Sequence, residues 1–74
     1  MRTTLIERRR ACYLTQEQLA TRIEIPTEIY MKVESGEIDI LYADWLMIAH
    51  VLHLPGGCVE ELRNGGENIS LRLS

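Results

Sequence analysis

The run Leu14-Thr15-Gln16-Glu17-Gln18-Leu19-Ala20-Thr21-Arg22-Ile23, followed by Val33-Glu34-Ser35-Gly36, constrains this chain of 74 residues more than any other part. Thr15 is placed to cap a helix, because its hydroxyl can accept the free backbone N–H groups two or three residues on. Gln18 then completes an S/T-x-x-E/Q capping box. Leu19, Ala20 and Ile23 recur at helical spacing and form one apolar stripe. Pro26 suits the first turn of the next helix, where its missing N–H is not needed. Ile29, Tyr30 and Val33 carry a second apolar face, and Gly36 stands where a left-handed C-cap would end it.

Two helices joined by a short turn make a helix-turn-helix arrangement. Leu14-Thr15-Gln16 with Leu19-Ala20, then Val33-Glu34-Ser35-Gly36, resembles the phage repressor and Cro type of helix-turn-helix regulator, the XRE family. The resemblance extends from about Leu5 to Leu62. It takes in Arg9, Leu46-Ile48-Ala49 with Leu52, and Val59-Glu60-Glu61-Leu62. It implies an all-α bundle of five short helices whose third helix enters the DNA major groove.

Seventy-four residues make one domain, of limited stability because a small chain buries a small share of its surface. There is no apolar run of about eighteen residues to cross a membrane, and the first ten residues lack the apolar core of a signal peptide. Cys12 and Cys58 are too few for a disulfide framework and read as free thiols in a reducing cytoplasm. The net charge is −3, whereas a DNA-binding domain is expected to be basic. The acidity is uneven: residues 1–35 hold six basic against five acidic side chains, and residues 36–74 hold two against six. The helix-turn-helix half is therefore the less acidic one, which permits DNA binding without arguing for it.

Five helices are expected, at about Thr4–Cys12, Gln16–Ile23, Thr27–Ser35, Tyr42–His53 and Cys58–Arg63. Trp45, Leu46, Ile48, Ala49 and Leu52 form the apolar face of the fourth, with Tyr30, Tyr42 and Trp45 in the core. Pro55-Gly56-Gly57 breaks the chain before the fifth. Residues 1–66 form the DNA-binding domain. The tail, residues 67–74, alternates apolar and polar side chains, the period of a strand. It reads either as a strand pairing with a second copy through Ile69, Leu71 and Leu73, which makes a homodimer, or as a frayed terminus.

The resemblance places a backbone-phosphate contact at Gln16, beside the capping Thr15, with Arg22 and the arginines of the first helix as further candidates. Base-reading positions fall on Thr27, Glu28 and, one turn later, Lys32, flanked by Ile29 and Met31. Thr27 can touch a thymine methyl, Glu28 can accept from cytosine N4, and Lys32 can donate to guanine. Each also has a structural reading: Glu28 suits a helix N-terminus, Glu28 and Lys32 form an i,i+4 pair, and Ile29 can cover the core. The family resemblance further implies a buried salt bridge between Arg9 and Glu34. Two positions depart from the family: Glu24, in the turn, and Tyr13 stand where glycine is usual. A third departure is the loop after the third helix, where Glu37 and Asp39 replace bases that would meet phosphates.

The expected function is that of a sequence-specific transcriptional regulator of double-stranded DNA, working as a homodimer on a palindromic operator. The alternative is a protein-interaction module or antitoxin-like regulator, with a toxin or other regulator as partner. No enzymatic activity and no cofactor are expected, since no nucleophile elbow, phosphate loop or carboxylate pair is recognisable. His50 and His53, with Cys58, suggest a metal site. Histidines near a helix C-terminus are favoured by its dipole, however, and no fourth ligand is evident, so no metal is expected.

Overall fold

A computed structural model describes residues 1–65; Ile69, Leu71 and Leu73 of the expected dimerising strand lie outside the described residues. The described chain is all-helical: α1 (Thr3–Ala11), α2 (Gln16–Arg22), α3 (Thr27–Ser35), α4 (Tyr42–Val51) and α5 (Val59–Asn64), with one 3-10 turn at Gly56–Cys58. No helix among the described residues is long and apolar enough to cross a membrane.

The helix starts follow their local chemistry. Thr15 Oγ1 accepts the Gln18 N–H at 3.0 Å, and Gln18 Oε1 accepts the Thr15 N–H at 2.8 Å, so both halves of the capping box are made. Pro26 is the N-cap of α3 rather than its first helical residue. Its extended ψ turns the chain, while its carbonyl accepts the Tyr30 N–H at 3.0 Å.

Four of the helices end alike. After each, one residue takes left-handed backbone: Tyr13 (φ 60°), Glu24 (φ 63°), Gly36 (φ 89°) and His53 (φ 61°). The next N–H then reaches back five residues, from Leu14 to Arg9, Ile25 to Ala20, Glu37 to Lys32 and Leu54 to Ala49. This closure satisfies carbonyls that the helix leaves free. Glycine takes the conformation without strain, whereas an L side chain meets a penalty on the order of 1 kcal/mol. Three of the four corners carry that penalty, at Tyr13, Glu24 and His53.

The apolar stripes meet in one core. Leu5 of α1, Leu19 and Ala20 of α2, Tyr30 and Val33 of α3, and Val59 and Leu62 of α5 are all nearly inaccessible. On α4 the buried residues are Trp45, Ile48 and Ala49, with Leu52 just beyond. Two of the expected core residues are not there: Leu46 is 39% exposed and Tyr42 59%. Helix α4 is apolar on nearly every side, so its composition does not mark which face turns inward. It also stops at Val51, because His53 leaves the helical conformation.

Helix α1 packs on α5, closing the bundle. Gly65 sits at that contact, where an added Cβ would collide with the Thr4 side chain and the Glu61 carbonyl. Arg2 fastens the same end. Its guanidinium donates to the carbonyls of Val33, Ile38 and Arg63, lies over the Trp45 ring at 5.3 Å and faces Asp39 at 3.6 Å.

Candidate nucleic-acid interface

Helices α2 and α3 are joined by the turn at Ile23–Pro26 and pack directly together. The inner face of α3 carries Tyr30, Val33 and Glu34, all buried. The remaining side chains point outward: Glu28 and Lys32 are exposed, Ile29 and Met31 are 37% and 47% exposed, and Thr27 is half-buried. Thr27, Glu28, Met31 and Lys32 fall together on the solvent side of α3 by helical spacing. Ile29 lies at the edge, only partly turned toward the core. Thr15 and Arg22, at the two ends of α2, are both exposed.

Beneath this surface lies a charged hub. Glu34, 3% exposed, takes Arg9 Nε on Oε2 at 2.5 Å and Arg9 Nη2 on Oε1 at 3.4 Å. Tyr30 donates its hydroxyl to Oε2 at 2.6 Å, and Gln16 Nε2 donates to Oε1 at 2.8 Å. Arg9 also donates through Nη1 to the Leu14 carbonyl at 2.7 Å. The hub thus ties α1, the corner before α2, the first residue of α2 and α3 into one unit. Burial alone would weaken the Arg9 charge, but the hydrogen bond and charge of Glu34 outweigh it, and the guanidinium holds its proton more firmly than usual. Burial pushes the Tyr30 phenol well above its ordinary range, and Glu34 pushes it further, with Arg9 acting against both. Among the described residues no buried side-chain polar atom is left without a partner.

Sequence reasoning found Arg9 and Glu34 in the hub but not Tyr30 or Gln16. A tyrosine on an apolar stripe reads as core, and nothing local says where its hydroxyl ends. Gln16 is half-buried. A side-chain amide has two N–H donors, so one bond to Glu34 leaves the second available. Beside it opens a cleft of about 420 Å³, lined by Ile6, Glu7, Arg10, Gln16 and Glu34 among others. Arg9 and Arg10 both line that cleft; Arg9 is buried in the hub, which leaves exposed Arg10 as the α1 arginine that can act beside Gln16.

The acidic loop divides in two. Asp39 is a structural acceptor, taking the Trp45 indole N–H at 2.9 Å, the Ile40 N–H at 2.8 Å and Arg63 Nε at 2.8 Å. Partial burial works against its charge, but the bonds from Trp45, Ile40 and Arg63 prevail and hold its carboxyl below the ordinary value. Arg2 and Arg63 together compensate it. Glu37 is exposed, and its carboxylate accepts the neighbouring Ser35 hydroxyl, at 3.0 Å.

Cys12 and Cys58 are free thiols. Among the described residues no three His, Cys, Asp or Glu side chains gather as a metal would require. No known protein family matches the chain, and no curated protein or solved structure matches it significantly.

Proposed function

We propose that this chain is a sequence-specific DNA-binding transcriptional regulator of the phage repressor and Cro type, with α2 and α3 as its helix-turn-helix. One observation carries the reading: α3 has a polar outer row, Thr27, Glu28 and Lys32 with Met31, on a helix fixed from behind by the Glu34 hub. A reading helix needs such fixed backing, because base contacts depend on side chains held in register. Gln16 and Arg10 would grip one stretch of backbone, with Arg22 a second. Phosphate contacts of this kind set position, and α3 sets sequence. Two copies would read half-sites about 34 Å apart, one helical turn.

The test is selection of bound duplexes from a random pool, followed by salt titration of the winner against competitor. Enrichment of a two-fold site, lost in a Thr27→Ala, Lys32→Ala double variant, is the expected result. Enrichment of nothing, or a preference unchanged in that variant, overturns it. Exposed Glu37, in the loop where the resemblance would put phosphate contacts, favours a second reading: a protein-interaction or antitoxin-like module with weak DNA affinity. Under that reading the pool yields no sequence, and the chain binds a protein partner.

A further inference from the structure

The outer face of α4 differs from every other helix surface of this protein. On the other described helices the exposed positions include formal charges, namely Glu7, Arg8 and Arg10 on α1, Glu17 and Arg22 on α2, Glu28 and Lys32 beside Ile29 and Met31 on α3, and Glu60, Glu61 and Arg63 on α5. On α4 the exposed side chains are Tyr42, Ala43, Leu46, Met47 and His50, none of them formally charged when His50 is neutral; the carboxylate of α4, Asp44, is half-buried and flanks this face. Leu41, the N-cap, is 74% exposed and extends the patch at one end. Trp45, Ile48 and Ala49 already fill the core side. A helix apolar on both sides is one that is covered on both sides.

We propose that this face is where a second copy of the same chain binds, α4 against α4 in antiparallel. The pattern is self-complementary. Leu46 and Met47 stand at mid-helix, Tyr42 and Ala43 one turn before them and His50 one turn after. An antiparallel crossing puts Leu46 and Met47 of both copies at the two-fold axis. It also lays His50 of each over the small Ala43 of the other, within reach of the Tyr42 hydroxyl. Gly56 lies against Leu46 with no side chain to block the approach; a Cβ there would stand 3.3 Å from Leu46 Cδ2. The helix dipoles oppose each other in this arrangement. On a chain of net charge −3, a face without formal charge is also where two copies meet without like-charge repulsion. A helix of this length spans about 15 Å, so the interface is small, near the lower bound of about 1,200 Å² for specific pairs. A small interface of this kind makes a reversible dimer that concentration should control. The role of this dimer in presenting two α3 helices to DNA rests on the regulator reading; the interface itself does not.

The test is sedimentation of the full chain without DNA, over about 1 µM to 1 mM. The wild type should pass from monomer to dimer, and Leu46→Glu should weaken association at least tenfold with its helical circular dichroism unchanged. Leu46→Lys should behave likewise, and an equimolar mixture of the two should associate again, because each faces the other across the two-fold axis. If Leu46→Glu perturbs the fold, the same mixing is made with Met47→Glu and Met47→Lys. A wild type monomeric throughout, variants that dimerise unchanged, or mixtures that stay monomeric would overturn the proposal. A dimer that selects no DNA sequence leaves this interface standing and removes the regulator reading; a monomer that selects one does the reverse.

Discussion

Gln16 and Glu34 are joined by a 2.8 Å hydrogen bond, so the first residue of α2 is held by the same carboxylate that Arg9 and Tyr30 secure. The surface residue thereby depends on the buried one. Glu34→Ala leaves the Arg9 charge in the interior with the Leu14 carbonyl but without its carboxylate, and should cost roughly 3–5 kcal/mol. Tyr30→Phe removes one charge-assisted bond, at about 1.5–3 kcal/mol. Urea unfolding of both variants checks the order, with Glu34→Ala the more damaging; a reversed order would show that the carboxylate is not the centre of the hub.

Gln16→Ala separates the two roles of that side chain. Gln16 is half-buried, and Arg9 and Tyr30 still satisfy Glu34, so stability should fall by about 1 kcal/mol or less. Affinity for a selected operator should fall about tenfold, or 1.4 kcal/mol. Equal affinity in a filter-binding assay would remove Gln16 from the interface.

Much of this was legible because it is local. The capping box, the stripe of Leu19, Ala20 and Ile23, and the stop at Gly36 are written within one or two turns, where helical periodicity speaks directly. Arg2 is the opposite case. Its partners stand at Val33, Ile38, Asp39, Trp45 and Arg63, up to 61 residues away, and no local pattern separates it from the arginines of α1. The two faces of α4 were unreadable for another reason: when both sides of a helix are apolar, the period that distinguishes them vanishes. The corners at Tyr13 and Glu24 were visible as departures from glycine, while His53 was hidden by the expected continuation of α4.

Those corners predict a stabilising substitution. Glu24→Gly should raise stability by up to about 1 kcal/mol, less whatever entropy the glycine adds to the unfolded chain. Glu24→Ala keeps the left-handed strain and should bring no such gain. Thermal denaturation of the pair distinguishes relief of backbone strain from loss of a surface charge, which both variants share.

Asp39 should shape the acid limb of stability. Its carboxyl is held below the ordinary value in the folded chain, so unfolding raises its proton affinity. Its contribution is present above the unfolded value, near pH 4, and is lost as pH falls through the lower folded value. Asp39→Asn should be less stable at pH 7, and the gap to the wild type should close below about pH 4. A constant gap between pH 7 and pH 2 in urea titrations would deny the charge a role.

Glu37 and Asp39 should part company when reversed. Glu37→Lys adds one base beside the expected phosphate path, so the salt dependence of operator binding should steepen by about 0.9 in log–log slope, with the fold intact. Asp39→Lys should instead destabilise the fold, because it sets a cation among Arg2 and Arg63 and deprives the Trp45 indole of its acceptor. Titrating affinity against salt for Glu37→Lys, with melting curves for both, decides the matter.

The meeting of α1 with α5 also bears on when the protein takes shape. Leu5 and Arg9 hold α3 from behind, but α1 is itself packed on α5, and Arg2 waits for the carbonyl of Arg63. A growing chain therefore possesses α1, α2 and α3, with every partner of Glu34, before it possesses the helix that α1 packs on. The bundle closes only when residues near 65 have left the ribosome, and until then α3 rests on an α1 that is itself unsecured. A premature stop anywhere in the last helix would thus loosen a surface more than twenty residues upstream, without altering one of its side chains.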